Sequence, residues 1–247
     1  DNIKFLLVVP VFLGILTHSS PLAAADQAGA AELLGRFAAR TRGQVAELNS
    51  IRQLTTVSTR VGEQSVTMDQ RVEMIFPDRI RRTMLVDGNE QAIVINAGTG
   101  FLASGTLSLP LPEARLSESV KQLGRDLLVL ASSTGDPDLR AALVGAGEQD
   151  GVSCQLIDVS LETVRSRLCL DDEGKVLSQS FASRHPMSNA PGMIEIVFSD
   201  HRDAGGVYYP FRQVLTFEGE EMVTVTIQSL EINPALPDSL FLIPSSE

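Results

Sequence analysis

The stretch Val66-Thr67-Met68-Asp69-Gln70-Arg71-Val72-Glu73-Met74-Ile75-Phe76-Pro77-Asp78-Arg79-Ile80 decides how this chain folds. Val66, Met68, Val72, Met74 and Phe76 alternate with Thr67, Asp69, Arg71 and Glu73, which gives an extended strand one apolar face and one polar face. Pro77-Asp78 turns the chain, and a second alternation begins at Arg79. The same pattern runs outward in both directions. Between Ile51 and Leu109, turn signals recur at Gly62-Glu63, Asp87-Gly88 and Gly98-Thr99-Gly100, which predicts a meander of short antiparallel strands. Strand patterns return in Gly151 to Leu161, Val164 to Asp171, Lys175 to Ser183, Met193 to Asp200, Val207 to Phe217 and Met222 to Ile232. Asp203-Ala204-Gly205-Gly206 and Glu218-Gly219-Glu220 read as hairpin turns.

Helical spacing appears in three places. Ala30, Leu33, Leu34, Phe37, Ala38, Val45 and Leu48 form a stripe within Ala28 to Asn49, with Gly43 as an interruption. Leu116, Val120, Leu123, Leu127, Leu130 and Ala131 form another along Glu113 to Ser132, entered after Pro110 and Pro112. A weaker helix is predicted from Asp138 to Val144, started by Asp136-Pro137. The sum is an α+β fold: a strongly curved antiparallel sheet of about eleven strands, with two or three helices covering its concave face.

With 247 residues, 43% of them hydrophobic, the chain can bury a core in one domain. Its 31 acidic against 20 basic residues give a net charge of -11, which opposes attraction to nucleic acid or to anionic bilayers. Aromatic residues are 5% of the chain with no Trp, so platforms for stacking bases or sugars are scarce. Residues 1–25 have the layout of a secretory signal peptide: Lys4, an apolar run from Phe5 to Thr17, and Ala23-Ala24-Ala25 before a cleavage site. The run is too short to span a bilayer as a helix, so no stable membrane insertion is expected after cleavage. Residues 26–247 then form a single exported domain.

Export permits a disulfide between Cys154 and Cys169. In a hairpin whose facing residues sum to 323, Cys154 meets Cys169, Asp158 meets Arg165 and Val159 meets Val164. The opposite face collects Ile157, Val159, Val164, Leu168 and Leu170.

Residues that carry chemistry are sparse. His185 and His201 lack a recognisable nucleophile beside them, and no metal-binding, phosphate-cradling or nucleophile-elbow motif is present, so neither catalysis nor a metal or other cofactor is predicted. Asp171-Asp172-Glu173-Gly174 reads as a solvated hairpin turn. In Arg79-Ile80-Arg81-Arg82, alternation puts Arg82 on the apolar side with Ile80 and Met84, where it pairs in the interior or faces a ligand. The apolar strand faces fit either a filled core or the lining of an acyl-chain cavity.

Several segments resemble, in order, the outer-membrane lipoprotein-sorting proteins of the LolA-like superfamily. They are Phe76-Pro77-Asp78-Arg79-Ile80-Arg81, the alternation through Gly98 to Leu102, Cys169 to Gly174, Phe198 to Pro210 and Glu231 to Phe241. The resemblance spans nearly the whole of residues 26–247. It implies an incomplete β-barrel closed by helices over a hydrophobic concave face, a periplasmic location, and a non-catalytic carrier for lipoprotein acyl chains or other lipids. On that basis Met74, Phe76, Met84, Leu123, Leu127, Ile196, Phe198, Phe211 and Leu215 are the expected cavity lining, Arg82 is the ligand-facing polar group, and Glu113 to Ser132 is the lid. The alternative is a cell-envelope interaction module with a filled core and a protein partner.

Overall fold

A computed structural model describes residues 21–243 apart from 62–63, 87, 106, 186–187 and 189. The leader assigned to residues 1–25 lies outside the described residues as far as Ser20, as do the turn residues Gly62, Glu63 and Asp87. Helix α1 (Pro21–Arg42) is followed by six strands: β1 (Ser50–Val61), β2 (Gln64–Ile75), β3 (Arg79–Val86), β4 (Asn89–Asn96), β5 (Thr99–Ser104) and β6 (Leu107–Pro110). Helices α2 (Glu113–Gly124) and α3 (Leu127–Ser132) come next. Seven strands complete the sheet: β7 (Leu139–Gln149), β8 (Val152–Leu161), β9 (Val164–Leu170), β10 (Val176–Arg184), β11 (Pro191–Ala204), β12 (Val207–Phe217) and β13 (Glu220–Ile232).

All of these strands belong to one open sheet of thirteen, in the order β6-β5-β4-β3-β2-β1-β13-β12-β11-β10-β9-β8-β7. The α+β curved sheet is as the sequence predicts, with two strands more than expected. Two meanders are joined where β1 pairs with β13, from Ile51 opposite Ile232 to Thr59 opposite Val223. β6 and β7 are the free edges, and the segment between them must travel from one edge to the other. It does so across the concave face, placing α2 and α3 there.

The predicted helix over Glu113 to Ser132 is in fact two helices, because Asp126 is extended (φ -60°, ψ 135°) and caps α3. Its Oδ1 accepts from the Leu128 and Val129 amides at 2.9 and 3.4 Å, satisfying donors that a continuous helix would have bonded internally. Gly124, just before the break, packs closely on Val164. The predicted helix over Asp138 to Val144 is strand β7. Leu139, Ala141 and Leu143 satisfy a two-residue period as well as a helical one, and pairing with β8 selects the strand. Asp136 Oδ1 accepts from the Asp138 amide at 2.8 Å and turns the chain into that strand.

The β8–β9 hairpin is two residues tighter than predicted. Facing residues sum to 325: Leu156 lies opposite Cys169, Asp158 opposite Arg167 and Ser160 opposite Arg165, and Asp158 pairs with Arg167 at 2.7 Å. A slip of two preserves the faces. Ile157, Val159, Leu168 and Leu170 are therefore buried in the main core as predicted, while the Cys154–Cys169 disulfide packs with Leu177 on the other side, its Cα atoms 5.5 Å apart.

Helix α1 buries Leu33, Leu34, Phe37 and Ala38 in the main core beside α3 and β7. It ends where Gly43 takes φ 54° against the backbone of Gly206. The β9–β10 turn docks on its side: Asp171 Oδ1 accepts from the Glu173 and Lys175 amides, and Arg36 donates to the Asp172 carbonyl at 2.8 Å. Gly174, at φ 82°, lies so close to this helix that a Cβ would sit 2.5 Å from the Phe37 nitrogen. Gly174→Ala is expected to lower stability by roughly 2 kcal/mol or more, through clash and positive φ together. Replacing both cysteines by alanine, which opens a loop with a sequence separation of 15, is expected to lower it by about 3 kcal/mol with the fold retained. Urea midpoints measure both.

Candidate functional site

A cavity of about 310 Å³ lies between the concave face of the sheet and the α2–α3 junction. Strand pairing explains its walls. Arg82 lies opposite Val72, which lies opposite Gln53; Val57, Val225, Gln213 and Phe198 face one another in sequence across four strands; Leu215, Ile196 and Gln179 make a further row. Each row draws on one side of the pleat, so alternate residues of seven strands arrive at the same space. Leu127, Asp126, Arg125 and Gln122 close it from the helical side.

Of the residues predicted for a lining, Met74, Leu127, Ile196, Phe198, Leu215 and Arg82 border this cavity. Leu123 and Phe211 are instead buried in the main core, and Phe76 packs against it. Met84 borders a separate depression with Thr83, Glu90 and Gln228. The span expected to be one lid helix divides in two: Leu127 through Ala131 of α3 are core residues, and α2 buries Leu123.

The walls are less uniformly apolar than the sequence suggests. Gln53, Thr55, Gln70, Gln179 and Gln213 line the cavity alongside Val72, Phe181, Ile194 and Ile227. A carboxylate, a guanidinium and a phenol also face it. Tyr209 Oη donates to Asp126 Oδ2 at 3.5 Å, and Arg82 donates to Gln122 Oε1 at 3.3 Å. Burial pushes the Asp126 carboxyl up, against the opposing pull of the Leu128 and Val129 amides and the Arg82 charge. Burial also pushes the Tyr209 phenol well above its ordinary value, and the Asp126 charge adds to that. The Arg82 guanidinium is lowered by burial, which the Asp126 charge only partly offsets.

Sequence reading missed Asp126, Arg125 and the glutamines. The available signal was Gly124-Arg125-Asp126 in the middle of an apolar stripe, a helix breaker followed by an N-cap residue. Arg125 is 8% exposed; its guanidinium lies 4.0 Å from the Phe181 ring and 3.1 Å from Glu118, and its carbonyl accepts from Gln179 Nε2 at 3.1 Å.

A second cavity of about 890 Å³, bordered by several charged side chains, adjoins the first. The two share Ile80, Arg82, Gln122 and Arg125, and the second adds Arg115, Glu118, Lys121, Arg184 and His185.

No family model matches the sequence, and no curated protein matches it. Solved structures do. A DUF1329 family protein from Desulfovibrio piger superposes with a TM-score of 0.63 at 12% identity, over 88% of this chain and 97% of that one. A LolA superfamily protein from Nitrosomonas europaea gives 0.60 at 12% identity, over 86% and 97%. This chain shares its fold with these solved structures, a LolA superfamily protein among them. An outer membrane lipoprotein-sorting protein domain from Vibrio parahaemolyticus, with a TM-score of 0.51 and 12% identity over 87% and 97%, has the same LolA-type architecture. No helix among the described residues is long and apolar enough to cross a membrane. Among the described residues no group of three or more His, Cys, Asp or Glu side chains is arranged to hold a metal ion.

The histidines sit away from the first cavity. His185 accepts from the Ser188 amide at 3.2 Å and meets the Phe217 ring edge-on. His201 stacks on Tyr208, and its Nε2 is buried without a hydrogen-bond partner. Burial, reinforced by the Lys175 charge, lowers His201 to about 4. Between about pH 6.5 and 4 the unfolded chain binds a proton at this position that the folded chain refuses, so this group costs stability as pH falls through that window. Urea midpoints at pH 7 and pH 5 are expected to lie closer together in His201→Gln than in the native chain. Asp126→Ala is expected to cost about 1 to 2 kcal/mol by uncapping α3, and Asp126→Asn less, because an amide oxygen caps as well; thermal unfolding at pH 7 checks this ranking.

Proposed function

We propose that this protein is a non-catalytic carrier or binding protein of the cell envelope that holds a lipid acyl chain in the cavity between its curved sheet and helix α2. The observation that carries this reading is the convergence of Val57, Val72, Met74, Ile196, Phe198, Leu215, Val225 and Ile227 on one concave space that the helices cover without filling. Burying a methylene contributes about 0.8 kcal/mol, so even a chain of modest length is retained by several kcal/mol.

The architecture supports the same reading. A LolA-type fold is shared with a lipoprotein-sorting domain, and the leader-like residues 1–25 fit export to the periplasm, where such cargo moves. The volume favours a single chain. At about 310 Å³ it lies at the small end of ligand pockets, which run from roughly 300 to 1,000 Å³. Helix α2 can act as the moving part, since Leu123 is its only buried residue, whereas α3 is fixed in the core.

Native mass spectrometry of protein purified without detergent is expected to show a co-purifying lipid, and the delipidated protein is expected to take up a fluorescent fatty acid. Ile196→Trp, which fills the cavity from β11, is expected to weaken uptake about tenfold or more while thermal unfolding stays cooperative. Absence of both lipid and uptake in the native chain contradicts the carrier reading, and a cross-linked protein partner in that case favours an interaction module.

A further inference from the structure

The second cavity, beside α2, is lined by an excess of positive charge. Arg82, Arg115, Lys121, Arg125 and Arg184 border it against one carboxylate, Glu118, on a chain of net charge -11. Glu118 is already engaged, at 3.1 Å from Arg125 and 3.9 Å from Lys121. Arg115 is exposed and forms no ion pair among the described residues. Arg82 donates to a neutral amide, that of Gln122, and the Asp126 carboxylate in the first cavity attracts it without a hydrogen bond between them.

Arg125 ties this region to the apolar cavity. It is 8% exposed, borders both spaces, and its buried Nε has no hydrogen-bond partner. A buried guanidinium with an unmet donor is costly unless a ligand supplies the acceptor. The two spaces meet along Ile80, Arg82, Gln122 and Arg125, so a molecule with its tail among Met74, Ile196 and Phe198 would bring its head to these cations.

We propose that the cavity pair binds a single-chain anionic amphiphile, the tail in the apolar space and a carboxylate or phosphate head held by Arg82, Arg115 and Arg125. The inference rests on the carrier reading above and narrows it from acyl chains in general to those bearing an oxyanion. Guanidinium pairs hold oxyanions in a fixed fork, so several converging arginines discriminate against an uncharged head of equal size. Field focusing at a cationic mouth on an acidic protein also guides an anionic ligand to this opening.

Calorimetric titration of the delipidated protein with laurate, dodecyl phosphate, dodecanol and inorganic phosphate, each below its aggregation limit, tests this. Laurate and dodecyl phosphate are expected to bind at least about tenfold more tightly than dodecanol, roughly the worth of one charge-assisted hydrogen bond, and to weaken with added salt. In R82Q/R115Q the anion-to-alcohol ratio is expected to fall toward one. R115Q alone, at an exposed position, gives a partial fall even where loss of Arg82 prevents folding. Equal affinity for dodecanol and the two anions overturns the headgroup assignment and leaves the carrier reading standing. Inorganic phosphate binding as tightly as dodecyl phosphate overturns it in favour of a free-anion site. Binding of none of the four overturns the inference together with the carrier reading.

Discussion

The two free edges of a single open sheet, β6 and β7, are consecutive along the chain, and residues 111–138 must therefore cross the concave face to join them. The rest of the site follows from that crossing. A curved sheet exposes one apolar face to its own hollow, and the connecting segment is the nearest covering available. Had β6 and β7 paired with each other, the barrel would have closed and filled with side chains. Left open, it is spanned by two short helices that meet the sheet at their junction and leave a space beneath α2.

Asp126 fixes that junction. By accepting from the Leu128 and Val129 amides it starts α3 afresh, so α3 buries all of Leu127 through Ala131 while α2 buries Leu123. The same carboxylate faces the cavity, where Tyr209 and the charge of Arg82 compensate it. A buried carboxylate near an arginine is a weak contributor to net stability, but removing one partner strands the other, so the group is a constraint on geometry. Side-chain amides surround this charged junction: Gln53 and Gln213 hydrogen-bond with Tyr209, and Gln179 donates to the Arg125 carbonyl.

Features that depend on neighbouring residues were legible in the sequence. The face shared by Ile157, Val159, Leu168 and Leu170 followed from parity, which survives a two-residue error in register. The pairing of Cys154 with Cys169 followed from the same hairpin. Features set by distant partners were not legible. β7 reads equally as a helix until β8 lies beside it, and the stripe from Leu116 to Ala131 reads as one helix unless Asp126 is recognised as a cap. Gln53, Gln70, Gln179 and Gln213 look like solvent-facing strand residues, because a polar residue inside a concave sheet has the same local pattern as one outside it. Six of the ten residues predicted to meet a ligand do border the cavity, since alternation fixes the face. Phe76, Met84, Leu123 and Phe211 do not, since alternation leaves the position along the sheet open.

These constraints describe a sheet whose hollow carries apolar side chains beside glutamines and adjoins a second space bordered by Arg82 and Arg125, an arrangement that fits the proposed amphiphile. The most direct measurement is methyl NMR of isoleucine- and leucine-labelled protein with a fatty acid carrying a spin label on its chain. Broadening is predicted for Leu127, Ile194, Ile196, Leu215 and Ile227, which line the cavity, with Leu168, Leu170 and Ile157 in the packed core much less affected. Broadening confined to the exposed Leu85, Leu107 and Leu109, or no broadening at all, would contradict an acyl chain held inside the sheet.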